Sequence, residues 1–283
     1  MAEVELGGMS TAERRAVRST YRSLRLGVVL LLVLLVTAVA VEASRAGCWL
    51  DSLSAYYWTG AHDAVVGALC AVGTLLVVYT GTDDVEDALL DIAGFLALVV
   101  ALTPTEPGSG CPGDVVADVP AALADARTSL TALVVAGLLA TGARTFVAVR
   151  SGGSTPATLA RGAGALVVLA VAVTLVAAPD VLLRSAHDTA AVLLFVAVVA
   201  VVVRNAFAAR AVSSRWALAY ALLGATMLLT LSVVVALNAT VETWAHAVLV
   251  VEALLVGLFA AFWVLQTIEH WGAEVARSRV TPR

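Results

Sequence analysis

Apolar stretches of about 20 residues recur along the whole chain, separated by short breaks of Gly, Pro, Asp and Arg. As a helix, each is long enough to cross roughly 30 Å of hydrocarbon. The stretches are rich in Ala, Leu and Val and lack the alternation of period two that barrel strands carry. The pattern predicts an all-α fold, a polytopic transmembrane helix bundle of eight spans. They cover residues 24–43, 62–80, 86–103, 121–149, 161–179, 187–209, 215–237 and 243–268. Residues 1–23 form an Arg-rich N-terminal segment, 24–270 the transmembrane helical domain, and 271–283 a tail. All seven prolines fall in loops, at span ends or in the tail, so no span is predicted to be broken.

Charge orients the thread. With the N-terminus inside, fourteen arginines, Arg14 to Arg25 and Arg144 to Arg283 apart from Arg184, lie at cytoplasmic ends. Only Arg45, Arg127 and Arg184 lie at outer ends. The positive-inside rule then predicts both termini in the cytoplasm and the plasma membrane as the location. Trp49, Trp58 and Trp244 at outer boundaries, and Trp216 and Trp271 at inner ones, match an aromatic belt. Arg-rich residues 14–25 ahead of an apolar run also suit a cleaved signal peptide, which would leave seven spans in the same sense. The composition, 61% hydrophobic and 13% charged, makes the lipid bilayer the principal partner. No basic cluster interleaved with aromatics marks a nucleic-acid surface. A homo-oligomer or a second membrane protein is compatible with the pattern.

Cys48 falls in the first outer loop and Cys111 in the second, both on the oxidising side, and a structural disulfide is expected. Cys70 lies within the second span as a packing residue. The tripeptide Ala-His-Asp occurs twice at the outer start of an apolar run, as His62–Asp63 and His187–Asp188. The first turn of a helix has free N–H groups and a partial positive charge, so capping accounts for both aspartates. Glu242 and His246 fall at the same depth on the last span. If the spans adjoin, His62, His187 and His246 could hold a zinc ion with one open position, with Asp63 or Asp188 orienting a ligand imidazole. The duplication also suggests two parallel four-helix repeats at an offset of 125 residues.

Glu252 is counted as nine residues into the last span, near the bilayer centre, where a carboxylate is a functional candidate. Arg127 reaches a similar depth, and an intramembrane Glu252–Arg127 pair is expected. The run "GTDDVEDALLDIAG" is the one cytoplasmic loop without Arg. Its acids are expected to pair with arginines at the feet of neighbouring spans. Gln266, Glu269 and His270 read as a solvated helix end.

Three stretches, "SLSAYYWTGAHDAVVGAL", "GTDDVEDALLDIAGFLA" and "LFAAFWVLQTIEHW", resemble a group of multi-pass membrane proteins of high-GC bacteria that carry no assigned function. A fainter likeness is to the ceramidase and adiponectin-receptor-like membrane hydrolases, whose zinc is held by three histidines. That resemblance would give Asp91 in "DIAG" the role of their helix-borne aspartate. The chain departs from it in lacking paired histidines on the last helix, and Asp91 is inner where His62, His187 and His246 are outer. Two functions follow. One is a non-enzymatic transporter, sensor or assembly subunit with an intramembrane polar core and no cofactor. The other is a zinc-dependent hydrolase acting on a lipid at the outer leaflet.

Overall fold

The computed structural model describes residues 10–109, 111, 117–151, 155–240 and 246–280; Glu242 and Trp244 lie outside them. Eight helices follow one another: α1 (Thr11–Ala46), α2 (His62–Val78), α3 (Asp84–Leu102), α4 (Val119–Ser151), α5 (Thr155–Ala177), α6 (Pro179–Ala209), α7 (Ser214–Thr240) and α8 (Ala247–Val280). A 3-10 turn, Ser54–Trp58, lies between α1 and α2. Among the described residues there is no strand. Five helices contain stretches long and apolar enough to cross a membrane, in α1, α4, α6, α7 and α8. α2 and the described apolar part of α5 are shorter. α3 opens on Asp84, Glu86 and Asp87 before its apolar run.

Local chemistry explains the helix ends. Ser10 and Glu13 form a reciprocal capping box at the start of α1. The Ser10 amide and hydroxyl hold the Glu13 carboxyl below its ordinary range. α1 stops at Gly47, whose φ of 71° is left-handed backbone open to glycine. Pro120, Pro156 and Pro179 sit in the first turns of α4, α5 and α6, where a missing N–H costs nothing. Pro179 and Asp180 start α6 eight residues ahead of the position expected from hydropathy, 187. The second Ala-His-Asp therefore lies in the third turn of a helix. The first sits at a helix mouth, with His62 as its first residue.

Six helices form a closed ring in which neighbours run antiparallel. α1 packs on α2, α2 on α3, α3 on α6, α6 on α7, α7 on α8, and α8 back on α1. α4 and α5 lie outside the ring against α3 and α6. A four-plus-four repeat would make α3 equivalent to α7, yet α3 packs on α2, α4, α5 and α6, whereas α7 packs on α6 and α8. Small residues allow the closest approach. A Cβ on Gly94 would stand 2.5 Å from the Gly73 carbonyl oxygen, so α2 and α3 meet backbone to backbone. Tyr220, Met227, Trp263 and Leu76 fill the ring interior with no exposed surface. The outer faces are apolar and open, with Leu139 70% and Val176 84% exposed, as a lipid-facing surface requires.

The ring has two unlike ends. One carries the loops after α1 and α3 and the start of α8, and is called here the disulfide end. The other carries the foot of α1, the α2–α3 turn and the end of α8, and is called the arginine end.

Candidate functional site

The disulfide end is closed by a cap built from two loops. Cys48 and Cys111 are bonded, with Cα atoms 5.6 Å apart. Asp51 reinforces the bridge. Its amide donates to the Ser109 carbonyl at 3.0 Å, and its carboxylate accepts from the Ser109 amide at 2.9 Å and hydroxyl at 2.5 Å. Trp58 Nε1 donates to the Thr105 carbonyl at 2.9 Å. Leu249 of α8 donates to the Asp51 carbonyl at 2.8 Å, which ties the cap to the ring.

Glu252 makes the second tie. Its carboxylate accepts from the Leu53 amide at 2.6 Å and the Ser54 hydroxyl at 3.2 Å. Leu53 is the N-cap of the 3-10 turn, so the carboxyl sits where that turn presents free N–H groups. α8 begins at Ala247, which puts Glu252 in its second turn, close under the cap and not at the middle of a span. Arg127 is exposed on α4, beside Thr128 and Thr131. Among the described residues no ion pair or hydrogen bond joins it to Glu252. The structure thus brings Glu252 to the first loop, where the Leu53 amide and the Ser54 hydroxyl satisfy the carboxyl.

The histidines meet carbonyls, each a different one. His62 Nδ1 lies 2.6 Å from the Tyr57 carbonyl, and His246 Nε2 lies 3.0 Å from that of Trp49. His187 Nδ1 lies 3.1 Å from the Val100 carbonyl and 3.0 Å from that of Thr103. Val100 and Thr103 close α3, where the last turn's carbonyls lack partners in the helix. His187 thus caps a neighbouring helix. Among the described residues, no group of three or more His, Cys, Asp or Glu is placed to hold a metal ion. Asp63 stays exposed in the first turn of α2, and Asp188 is exposed beside His187.

Beneath the cap, α1, α2, α3, α6 and α8 surround a partly open cavity of about 110 Å3. Its wall is aliphatic and aromatic, with Leu76 and Phe259 among the lining residues. Ser54, Tyr57, His187 and Glu252 supply its polar groups. Burial pushes the Tyr57 phenol up, and the nearby Asp125 charge adds to this, so it remains a hydroxyl. His187 is 6% exposed, and its Nε2 has no hydrogen-bond partner. An apolar wall with few polar groups is the form small-molecule sites take, and about 110 Å3 admits only a very small molecule.

The arginine end holds a buried polar layer to which every ring helix or its end contributes. Arg25 of α1, 6% exposed, donates through Nε and NH2 to the Tyr79 hydroxyl at 2.9 and 2.7 Å. The Tyr79 hydroxyl lies 3.4 Å from Gln266 Oε1. Glu86, 1% exposed, accepts from Asn205 of α6 at 2.8 Å and from the Thr82 amide and hydroxyl. The Tyr220 hydroxyl of α7 donates to Glu269 of α8 at 2.5 Å. Gln266 is fully buried, so this end of α8 is packed and not solvated as its sequence suggests. The acidic run pairs as expected, with Arg204 on Asp83 at 2.5 Å and Arg144 on Asp91. Hydropathy alone misses this layer, since Arg25 and Glu86 read as ordinary span-end charges. The usable signal was chemical: Arg, Glu, Asn, Tyr and Gln recurring at one depth on several helices. Comparison of the chain with family models, with curated proteins and with solved structures finds no match.

Proposed function

We propose that the chain is a non-enzymatic, multi-pass protein of the plasma membrane that encloses a small, largely apolar molecule inside its helix ring, as a carrier or receptor. The observation that carries this reading is the capped cavity. It has an apolar wall and four polar groups, from Ser54, Tyr57, His187 and Glu252. Glu252 ties the cap to α8 from a position on the cavity wall, so a molecule entering there meets the group that holds the cap shut. The arginine asymmetry supports a thread with both termini cytoplasmic and the cap outside. A zinc-dependent hydrolase gains no such support, since among the described residues no three of His, Cys, Asp or Glu are placed to share a metal ion.

The test is thermal unfolding of the protein in nanodiscs with saturating pentane, a probe of the cavity. Pentane raises the Tm of the native chain. Ala191→Phe, which fills the cavity from α6, removes that rise. Equal response of native and filled protein would overturn the reading. Reporter fusions in the loops after α3 and after α4 test the thread, with external and cytoplasmic signals expected respectively.

A further inference from the structure

Resting on the reading of the cavity as a binding site, we infer that its occupant carries a hydrogen-bond donor, a hydroxyl or an ammonium group, on a short apolar body. Of the four polar groups of the wall, the Ser54 hydroxyl already donates to Glu252 and Tyr57 belongs to the cap, which leaves His187 and Glu252 to offer acceptors. His187 Nδ1 faces two carbonyls, from Val100 and Thr103, so it must carry the ring hydrogen. In the neutral ring Nε2 is then a lone pair. It is buried, has no partner, and belongs to a ring that lines the cavity. Glu252 lines the same space. Two of its acceptor sites are taken by Leu53 and Ser54, and a carboxylate has about four. An acceptor-only head, such as a ketone, would set its oxygen against the Nε2 lone pair and the carboxylate. A donor head answers both. The aliphatic remainder of the wall sets the rest of the molecule, and about 110 Å3 limits it to a handful of heavy atoms.

The experiment is calorimetric titration of the full chain in nanodiscs with four probes of matched size: 1-butanol, 1-butylamine, 2-butanone and pentane. The alcohol or the amine is expected to bind at least about tenfold more tightly than 2-butanone, the scale of one buried hydrogen bond. Whichever of the two binds more tightly identifies the head as neutral or cationic. His187→Leu should abolish that preference, and His187→Gln, which keeps both a donor for α3 and an acceptor, should retain most of it. If the leucine variant does not fold, the probe series on the native chain decides alone. Binding of 2-butanone or pentane as tight as that of the alcohol and amine overturns the donor head while leaving the cavity reading intact. Failure of all four probes to bind folded protein overturns both.

Discussion

Glu252→Ala should release the cap. The carboxylate accepts two hydrogen bonds, from the Leu53 amide and the Ser54 hydroxyl. Such hydrogen bonds contribute about 1–2 kcal/mol each, with the shorter Leu53 bond taken as the stronger. Removing the acceptor also leaves the Leu53 N–H at the head of the 3-10 turn unpaired, but water reaching the opened loop offsets part of that cost. The expected loss is about 2–4 kcal/mol, concentrated in residues 50–58. Glu252→Gln retains one acceptor oxygen of the two, and should lose about 1–2 kcal/mol. Amide hydrogen exchange at Leu53 reads the effect directly. About 2–4 kcal/mol of local opening accelerates exchange by roughly 30- to 1000-fold. Arg127→Gln alone should change stability by less than about 0.5 kcal/mol and add to Glu252→Gln without coupling, because the two groups do not touch. Unchanged exchange at Leu53 in both Glu252 variants, or rescue of Glu252→Gln by Arg127→Gln, would refute the reasoning.

Four further outcomes are expected. Tyr79→Phe removes the hydroxyl that receives both Arg25 donors, and should cost about 2–3 kcal/mol by denaturant unfolding. Gly94→Ala drives a methyl to 2.5 Å from the Gly73 carbonyl, and should cost about 1–3 kcal/mol while sparing the cap's hydrogen exchange. Replacing Cys48 and Cys111 by Ala frees a 63-residue separation and should cost about 2–4 kcal/mol, which peptide mapping and thermal unfolding check together. Burial works against the Asp83 charge, but Arg204 and the amides of Glu86 and Val85 outweigh it and hold the carboxyl below its ordinary range. That lowered carboxyl stabilises the fold fully above its unfolded value and loses the contribution as pH falls through the folded one. Asp83→Asn keeps the N-cap but flattens this acid dependence, whereas Asp83→Ala also loses about 1 kcal/mol at neutral pH.

The eight helices were legible because long apolar runs leave a chain in lipid no other way to satisfy its backbone. The disulfide was legible because two of the three cysteines fall in loops that the threading puts on one side, and the third falls within an apolar run. The start of α6 was not, since Leu182 and Leu183 are followed by Arg184 and Asp188, and hydropathy reads the charges as a boundary. Pro179 was the better marker, as a residue tolerated in the first turn of a helix. The depth of Glu252 failed for the opposite reason: the count began at residue 243, whereas α8 begins at Ala247. Four residues are a full helical turn, about 6 Å, enough to move a carboxylate from mid-span to the underside of a loop. The ring order lay beyond reach, because apolar faces specify that a helix packs but not on which neighbour.

The gathering of three histidines at one end has a physical cause that also sets the chemistry there. Helices and turns that end inside a membrane protein leave carbonyls without donors, and water is scarce. An imidazole supplies one donor without a permanent charge, which Arg would bring and Ser, with its shorter reach, would often not span. His62 serves the 3-10 turn, His246 the loop after α1, and His187 the end of α3. Donating from one ring nitrogen turns the other into an acceptor in the neutral ring. For an exposed imidazole that acceptor meets solvent and has no consequence. His187 is buried, so its acceptor is left without a partner in a ring that lines the same cavity as the carboxylate tying down the cap. The capping of one helix thereby fixes the polarity of the space between five of them.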